Sequence, residues 1–250
     1  SQHEYEVAQK YFNVTKQRMG CPHDSLIIGR YSVLPHYNEL VNDLKYLYSN
    51  LINSYDEHKW IANFEYYNVL KHYTPESWEL DSFYKCDYNG PFVVKGKTSS
   101  KKQNWLKMMY AETKQDIWRV VADLNSDITI SDQGIIIRKY VPLKLLEVGI
   151  NGMPFTNEWR FFYYKEHRLS YGFYWDGLCD CPEKAEMTPE GLSKADEVAM
   201  ICKDYTNFFV IDIAQTAEGD WIVIELNDGQ CSGLSANNPD ELYSNLASFF

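Results

Sequence analysis

The chain has no long apolar run. Its longest, Ile135-Ile136-Ile137 and Phe208 to Ile211, are a few residues each, far short of the roughly 18–20 that span a bilayer, so no membrane helix or membrane partner is expected. Basic residues are also scarce, 24 Lys and Arg against 35 Asp and Glu for a net charge of −11. A duplex nucleic acid needs a basic face to neutralise its phosphates and is not expected as a partner. The first residues, SQHEYEVAQKYF, lack the basic head and apolar stretch of a secretory signal, and a cytoplasmic protein is expected. The six cysteines (Cys21, Cys86, Cys179, Cys181, Cys202, Cys231) show no repeated Cys-x-x-Cys spacing and read as reduced thiols. Cys179-Asp180-Cys181 offers two soft metal ligands, but no histidine or second cysteine pair lies near it in sequence. No two histidines flank a helical turn around a carboxylate, no Gly-x-Ser-x-Gly elbow exists, and no Walker loop is present. Those absences set aside zinc proteases, elbow hydrolases and P-loop enzymes.

What is present is apolar and aromatic: 45% hydrophobic residues, including 20 Tyr, 12 Phe and 7 Trp, in 250 residues. That is enough for one large domain or two closely packed lobes. A short strand at LIIG, a loop with Arg30 and Pro35, and apolar positions three and four apart predict a strand-loop-helix unit with its helix over 37–51. A second helix is predicted over 57–72, stopping at Thr74-Pro75. Beyond it strands alternate with helices: PFVVKGK, MMYAE, GIIIRKYV, EWRFFYY, LSYGFYW, NFFVIDIA and WIVIEL, with helices near 114–124, 189–203 and from about 238. The predicted class is α+β with a small α/β unit in front. The expected division is 1–55 for that unit, 56–143 for a first lobe and 144–250 for a second.

Three constellations carry chemistry. Residues 91–107 gather Lys95, Lys97, Lys101, Lys102 and Lys107. On a strand Lys95 and Lys97 point the same way, and the following Thr98-Ser99-Ser100 loop has free amides that suit polyphosphate; a solvated basic loop is the competing reading. In the closing hairpin, a two-residue turn at Glu218-Gly219 would set Asp212 directly opposite Glu225, with Asn227 on the same face. Two opposed carboxylates repel unless a cation joins them, and these oxygens suit a hard divalent ion such as magnesium. Between them, Ile135–Ile137 runs into Arg138, Lys139, Tyr140 and Val141, where an extended backbone with an unpaired edge could meet a flat heterocycle. On the next strand Arg160 could fork onto phosphate while Glu158 holds it.

Taken in order, these segments resemble the ATP-grasp superfamily over roughly residues 55–235. GRYSVLP, PFVVKGKTSS, VPL...EWRFF and VIELNDGQCSGL look like an ATP-grasp clade common in phages and bacteria. The resemblance implies two α+β lobes clamping ATP, with magnesium, and an ATP-dependent ligase that activates a carboxylate as an acyl phosphate for attack by an amine. Its partners would be ATP and a small-molecule or peptide acceptor. By position it implies Lys95 as a phosphate lysine with catalytic weight, supported by Lys97; Thr98, Ser99 and Ser100 as the phosphate loop; and Arg138, Lys139, Tyr140 and Val141 as the adenine linker. It further implies Glu147 as a ribose partner, Arg160 as the arginine that steadies phosphate and intermediate, and Asp212, Glu225 and Asn227 as magnesium ligands. The loop departs from the family in having no glycine after Gly96. The family's other phosphate lysine has no clear counterpart, Lys59 being a guess. A kinase acting on a hydroxyl, a nucleotidyl-transfer or nucleic-acid ligase adenylated at Lys95, and a non-catalytic nucleotide-binding module are the alternatives. Cys231 has no identifiable histidine partner to make it a nucleophile.

Overall fold

The computed structural model of the protein describes residues 1–250, the side chain of Thr129 excepted. The chain begins with α1 (Gln2–Ala8), started by a capping box between Ser1 and Glu4. It continues through β1 (Leu26–Ile27), α2 (Tyr37–Lys45), β2 (Asn50–Leu51), α3 (Tyr55–Ala62) and α4 (Tyr67–Leu70). The helix predicted over 37–51 stops at Lys45. Tyr48 takes a left-handed φ of 56°, which ends the helical run and turns the chain into β2, parallel to β1. Leu47 and Leu51 are still buried, from a turn and a strand rather than a continued helix face. The helix predicted over 57–72 is likewise broken, with Phe64 at φ 67° between α3 and α4.

The first sheet follows: β3 (Ser77–Glu79), β4 (Phe92–Gly96), α5 (Trp105–Met108), β5 (Tyr110–Ala111), α6 (Lys114–Leu124), α7 (Ile128–Gln133) and β6 (Ile135–Lys139). Its strands pair antiparallel in the order β3-β6-β4-β5. Phe92 and Val94 of β4 and Ile135 and Ile137 of β6 bury one face against Ile117, Val120 and Leu124 of α6. Strand alternation sends Lys95 and Arg138 to the other face.

A hairpin of β7 (Leu145–Val148) and β8 (Pro154–Thr156) leads into the second sheet. That sheet comprises β9 (Glu158–Tyr164), β10 (His167–Phe173), β11 (Phe208–Gln215) and β12 (Trp221–Asp228), antiparallel in the order β10-β9-β11-β12. Helix α8 (Pro189–Cys202) interrupts it and α9 (Pro239–Ala247) closes the chain. One face, with Phe161, Phe209, Ile211 and Val223, packs on α8, α3 and α4. The other face buries Phe162, Phe208 and Val210 under α9 at one end. At its remaining end the same alternation places Glu158, Arg160, Asp212 and Glu225.

A buried polar network fastens the N-terminal unit to the second sheet. Asn53 Nδ2 donates to Phe208 O (2.6 Å) and Asp228 Oδ1 (2.9 Å), and Phe208 N donates back to Asn53 Oδ1. His58 Nδ1 lies 2.9 Å from Asp228 Oδ2 and its ring stacks on Tyr37 at 3.7 Å. Gln230 accepts from Gly29 N and donates to Tyr37 Oη. Every member is paired, so the network orders the junction without leaving unmet polar groups. Among the described residues, no helix is long and apolar enough to cross a membrane.

Candidate active site

The polar ends of the two sheets face each other across a cleft. Asp212 pairs with Glu225 on β12 and with Arg160 on β9 in the strand register. The alignment with Glu225 arises differently from the two-residue turn predicted at Glu218-Gly219. Thr216 and Asp220 close a wider turn, through Thr216 N to Asp220 O at 2.7 Å. The ladder then runs Ile213↔Val223 and Asp212↔Glu225, with Ile224 as an extra residue between them. This β-bulge restores the pairing that the wider turn would have shifted by one. Without it Ile224 would oppose Asp212, and Glu225 would point into the apolar face with Val223.

Each acid has a basic partner. Arg160 binds Asp212 through both edges, Nε to Oδ1 at 2.8 Å and Nη2 to Oδ2 at 2.7 Å. Asp212 therefore takes the place predicted for Glu158, which instead lies 3.6 Å from Lys102 Nζ. Lys95, from the first sheet, reaches across to Glu225. Asn227 Nδ2 donates to Asp212 Oδ2 at 3.4 Å. Arg138 also crosses, donating to the carbonyl of the bulged Ile224 as well as to Ser77 Oγ. Tyr174 forms a floor, its ring 3.9 Å from Lys102 Nζ and 4.8 Å from Arg160 Cζ. The cleft therefore combines four cations (Lys95, Lys102, Arg138, Arg160) with three carboxylates (Glu158, Asp212, Glu225).

Burial and these neighbours set the protonation states. Burial opposes the Glu225 charge, but Lys95 and Lys102 outweigh it and hold the carboxyl down at about 2. Burial opposes the Arg160 charge too, and Asp212 outweighs it, raising its pKa. Lys102 is raised in the same way, with Glu158 and Tyr174 overcoming burial. Glu158 moves the other way: burial pushes it up to about 7, because Lys102 offsets only part of that loss of hydration.

The other predicted residues divide. Thr98, Ser99 and Ser100 form a half-buried loop after β4. Lys97, expected beside Lys95, pairs with Glu79 at 2.6 Å. Arg138 and Lys139 do not offer an unpaired backbone edge, because β6 lies between β3 and β4 and both edges of this segment are bonded; Tyr140 N donates to Pro91 O, and the ladder ends before Val141. The Lys139 ammonium sits over Tyr88. Glu147 joins none of these groups and meets Cys179, Asp180 N and Cys181. Lys59 is on α3, paired with Asp56 at 3.0 Å. The second lysine of the cleft is Lys102, half-buried and one of five lysines in the basic segment, and no local pattern distinguishes it from Lys101, which pairs with Asp127. Tyr174 has no sequence signal.

Arg30 has an internal role, binding Glu4 Oε1 (2.7 Å), Tyr243 Oη (3.1 Å) and Gly229 O. A cavity of about 800 Å³ lined by Glu4, Phe12, Ile28, Arg30 and Tyr243 opens beside α1. None of the cleft's charged groups lines it. Burial pushes the Cys231 thiol up to about 12, opposite to what a nucleophile needs.

Comparison with solved structures gives a matching picture of the fold. A RimK domain ATP-grasp protein from Sphaerobacter thermophilus superposes over 99% of this chain and 93% of its own, at 12% identity and a TM-score of 0.56. The ATP-grasp ligase PsnB, complexed with minimal precursor, Mg and ADP, does so over 99% and 93%, at 10% identity and a TM-score of 0.53. The L-amino acid ligase from Bacillus licheniformis matches over 75% of this chain at 13% identity and a TM-score of 0.48, and the chain spans only 45% of that protein. At these identities the likeness is one of fold. No curated protein matches the sequence. A family model described as an ATP-grasp domain, clade family 3, matches residues 80–246, a span that contains both sheets' cleft faces from Lys95 to Asn227. The chain belongs to that ATP-grasp family.

Proposed function

We propose that the cleft binds ATP with magnesium and activates a carboxylate as an acyl phosphate, which an amine then attacks. The observation that carries this reading is the facing of four cations and three carboxylates across two sheets. Around the cleft, three buried polar atoms also have no hydrogen-bond partner among the described residues: Thr98 Oγ1, Arg138 Nη2 and Trp175 Nε1. Buried polar atoms of this kind are uncommon in folded proteins, and phosphate, ribose or ring atoms suit them.

The residues fit the implied groups. Asp212, Glu225 and Asn227 present hard oxygens from adjacent strands, the set that magnesium accepts; the bound ion would neutralise phosphate charge. Lys95, Lys102 and the Thr98–Ser100 loop would hold phosphate, with Arg138 to Val141 and the end of the β6 ladder beside the base. Lys95 and Arg160 now neutralise the two acids. With nucleotide bound, these cations would turn to phosphate oxygens and leave Glu225 and Asp212 for the metal. Arg160, a planar fork released from Asp212 in that state, would stabilise the charge that develops during transfer. Phosphoryl transfer relies on such positioning and needs no protein nucleophile.

Incubation with ATP, magnesium and pools of amino acids and peptides, read by mass, tests this. The expected products are ADP, phosphate and an amide, and Asp212→Asn or Glu225→Gln lowers turnover by at least about 10²–10³-fold. ADP with a stable phosphoester would make it a kinase, AMP would make it a nucleotidyl transferase, and full activity in both variants would remove the metal assignment.

A further inference from the structure

The expected ribose partner, Glu147, has different company. Its Oε2 lies 3.5 Å from Cys179 Sγ and 3.6 Å from Cys181 Sγ, and the two sulfurs are 3.7 Å apart. Zinc bound to sulfur at about 2.3 Å and to oxygen at about 2.0–2.2 Å in a tetrahedron requires sulfur–sulfur edges of about 3.8 Å and sulfur–oxygen edges of about 3.5–3.7 Å. All three observed separations match one face of that tetrahedron. From this geometry we propose that Cys179, Cys181 and Glu147 form a binding site for zinc, separate from the acids of the cleft.

The surroundings support it. The Asp180 amide donates to the ligating oxygen, Glu147 Oε2, at 2.9 Å, the kind of outer contact that fixes a metal-binding carboxylate. Cys179 is buried beside Met153, Phe173 and Trp175, while Cys181 and Glu147 are half-buried. One side is therefore dry, and the side of Cys181 and Glu147 borders solvent. Two thiolates and one carboxylate select a thiophilic ion over magnesium. Binding would release the two thiol protons and tie β7 to the loop that starts with Tyr174 and Trp175, both of which cover Lys102. A Cys-x-Cys redox pair is the competing use of the same sulfurs.

The test uses the full chain, reduced and freed of metal by dialysis against a chelator, titrated with cobalt(II) and then zinc(II) in the presence of excess magnesium. One equivalent of cobalt is expected to give a thiolate charge-transfer band and four-coordinate ligand-field bands, both removed by one equivalent of zinc. Zinc should slow alkylation of Cys179 and Cys181, located by mass, and leave Cys21, Cys86, Cys202 and Cys231 unchanged. Glu147→Gln should weaken cobalt binding by more than the roughly 10–100-fold that loss of an outer contact costs, and the Cys179→Ser, Cys181→Ser double variant should abolish the charge-transfer band. The wild-type alkylation pattern decides the matter if the double variant does not fold. Absence of the band at one equivalent, protection of other cysteines instead, unchanged affinity in Glu147→Gln, or recovery of Cys179 and Cys181 as a metal-free disulfide would overturn the site.

Discussion

At the scale of single residues, the cleft depends on which of several similar side chains turns inward. Lys101 and Lys102 are neighbours of identical type, yet one pairs with Asp127 and the other meets Glu158 and Tyr174. A short 3₁₀ turn at Lys102–Asn104 makes that choice, and such a turn leaves no periodic trace in the sequence. Lys102→Met should weaken ATP binding about 10–100-fold, the worth of a charged hydrogen bond, whereas Lys101→Met should change it little; calorimetry with an ATP analogue separates the two. Glu158 supplies a pH test. Its carboxyl is raised to about 7 from an ordinary value of 4.5, so the folded chain keeps a proton that the unfolded chain has released. The resulting stabilisation is complete below pH 4.5 and is lost as pH rises to about 7. The stability of the wild type relative to Glu158→Gln, measured by urea unfolding, should fall over that window by on the order of 1–3 kcal/mol.

At the scale of elements, strands with strong alternation are legible in the sequence and their connections are not. EWRFFYY corresponds to β9 residue for residue, and the predicted helix at 114–124 has its start fixed by the Thr113–Asp116 capping box. The hairpin of β7 and β8 escapes prediction, because Leu145–Val148 and Pro154–Thr156 are too short and irregular to show a period. It is this hairpin that carries Glu147 to the Cys179 loop. The opposition of Asp212 and Glu225 follows from a two-residue turn on paper, whereas a wider turn and a bulge together produce it. Loop length and bulge position respond to packing and are not encoded by alternation. Close approach marks another such place. A Cβ at Gly172 of β10 would fall 2.4 Å from the Ala236 carbonyl carbon and 2.5 Å from Asn237 N. The segment crossing there also holds Arg160, since Gly233 O accepts from Nη1 and Asn237 Nδ2 donates to Arg160 O. Gly172→Ala should lower stability by about 1–3 kcal/mol in denaturant unfolding and reduce ATP turnover with it.

At the scale of the whole molecule, a net charge of −11 surrounds a cleft in which cations outnumber acids by one. An acidic body with a local basic site disfavours long polyanions and accepts a small, metal-chelated one. The two sheets are joined across that site by Lys95–Glu225 and by Arg138 to Ile224 O, and the first of these is one of the pairs proposed to change partner when nucleotide enters. The N-terminal unit is tied to the second sheet through Asn53 and Asp228, an attachment invisible in the sequence because its members are polar residues far apart in the chain. Asn53→Ala should cost about 2–4 kcal/mol by leaving several buried groups unpaired, read as a lower midpoint in urea.

The most direct measurement is calorimetric titration of a non-hydrolysable ATP analogue into the wild type and Asp212→Asn, each with and without magnesium. Saturable one-to-one binding that tightens with magnesium in the wild type, and loses that magnesium dependence in Asp212→Asn, is the expected result. No binding by the wild type, or binding indifferent to both magnesium and Asp212, would contradict the account.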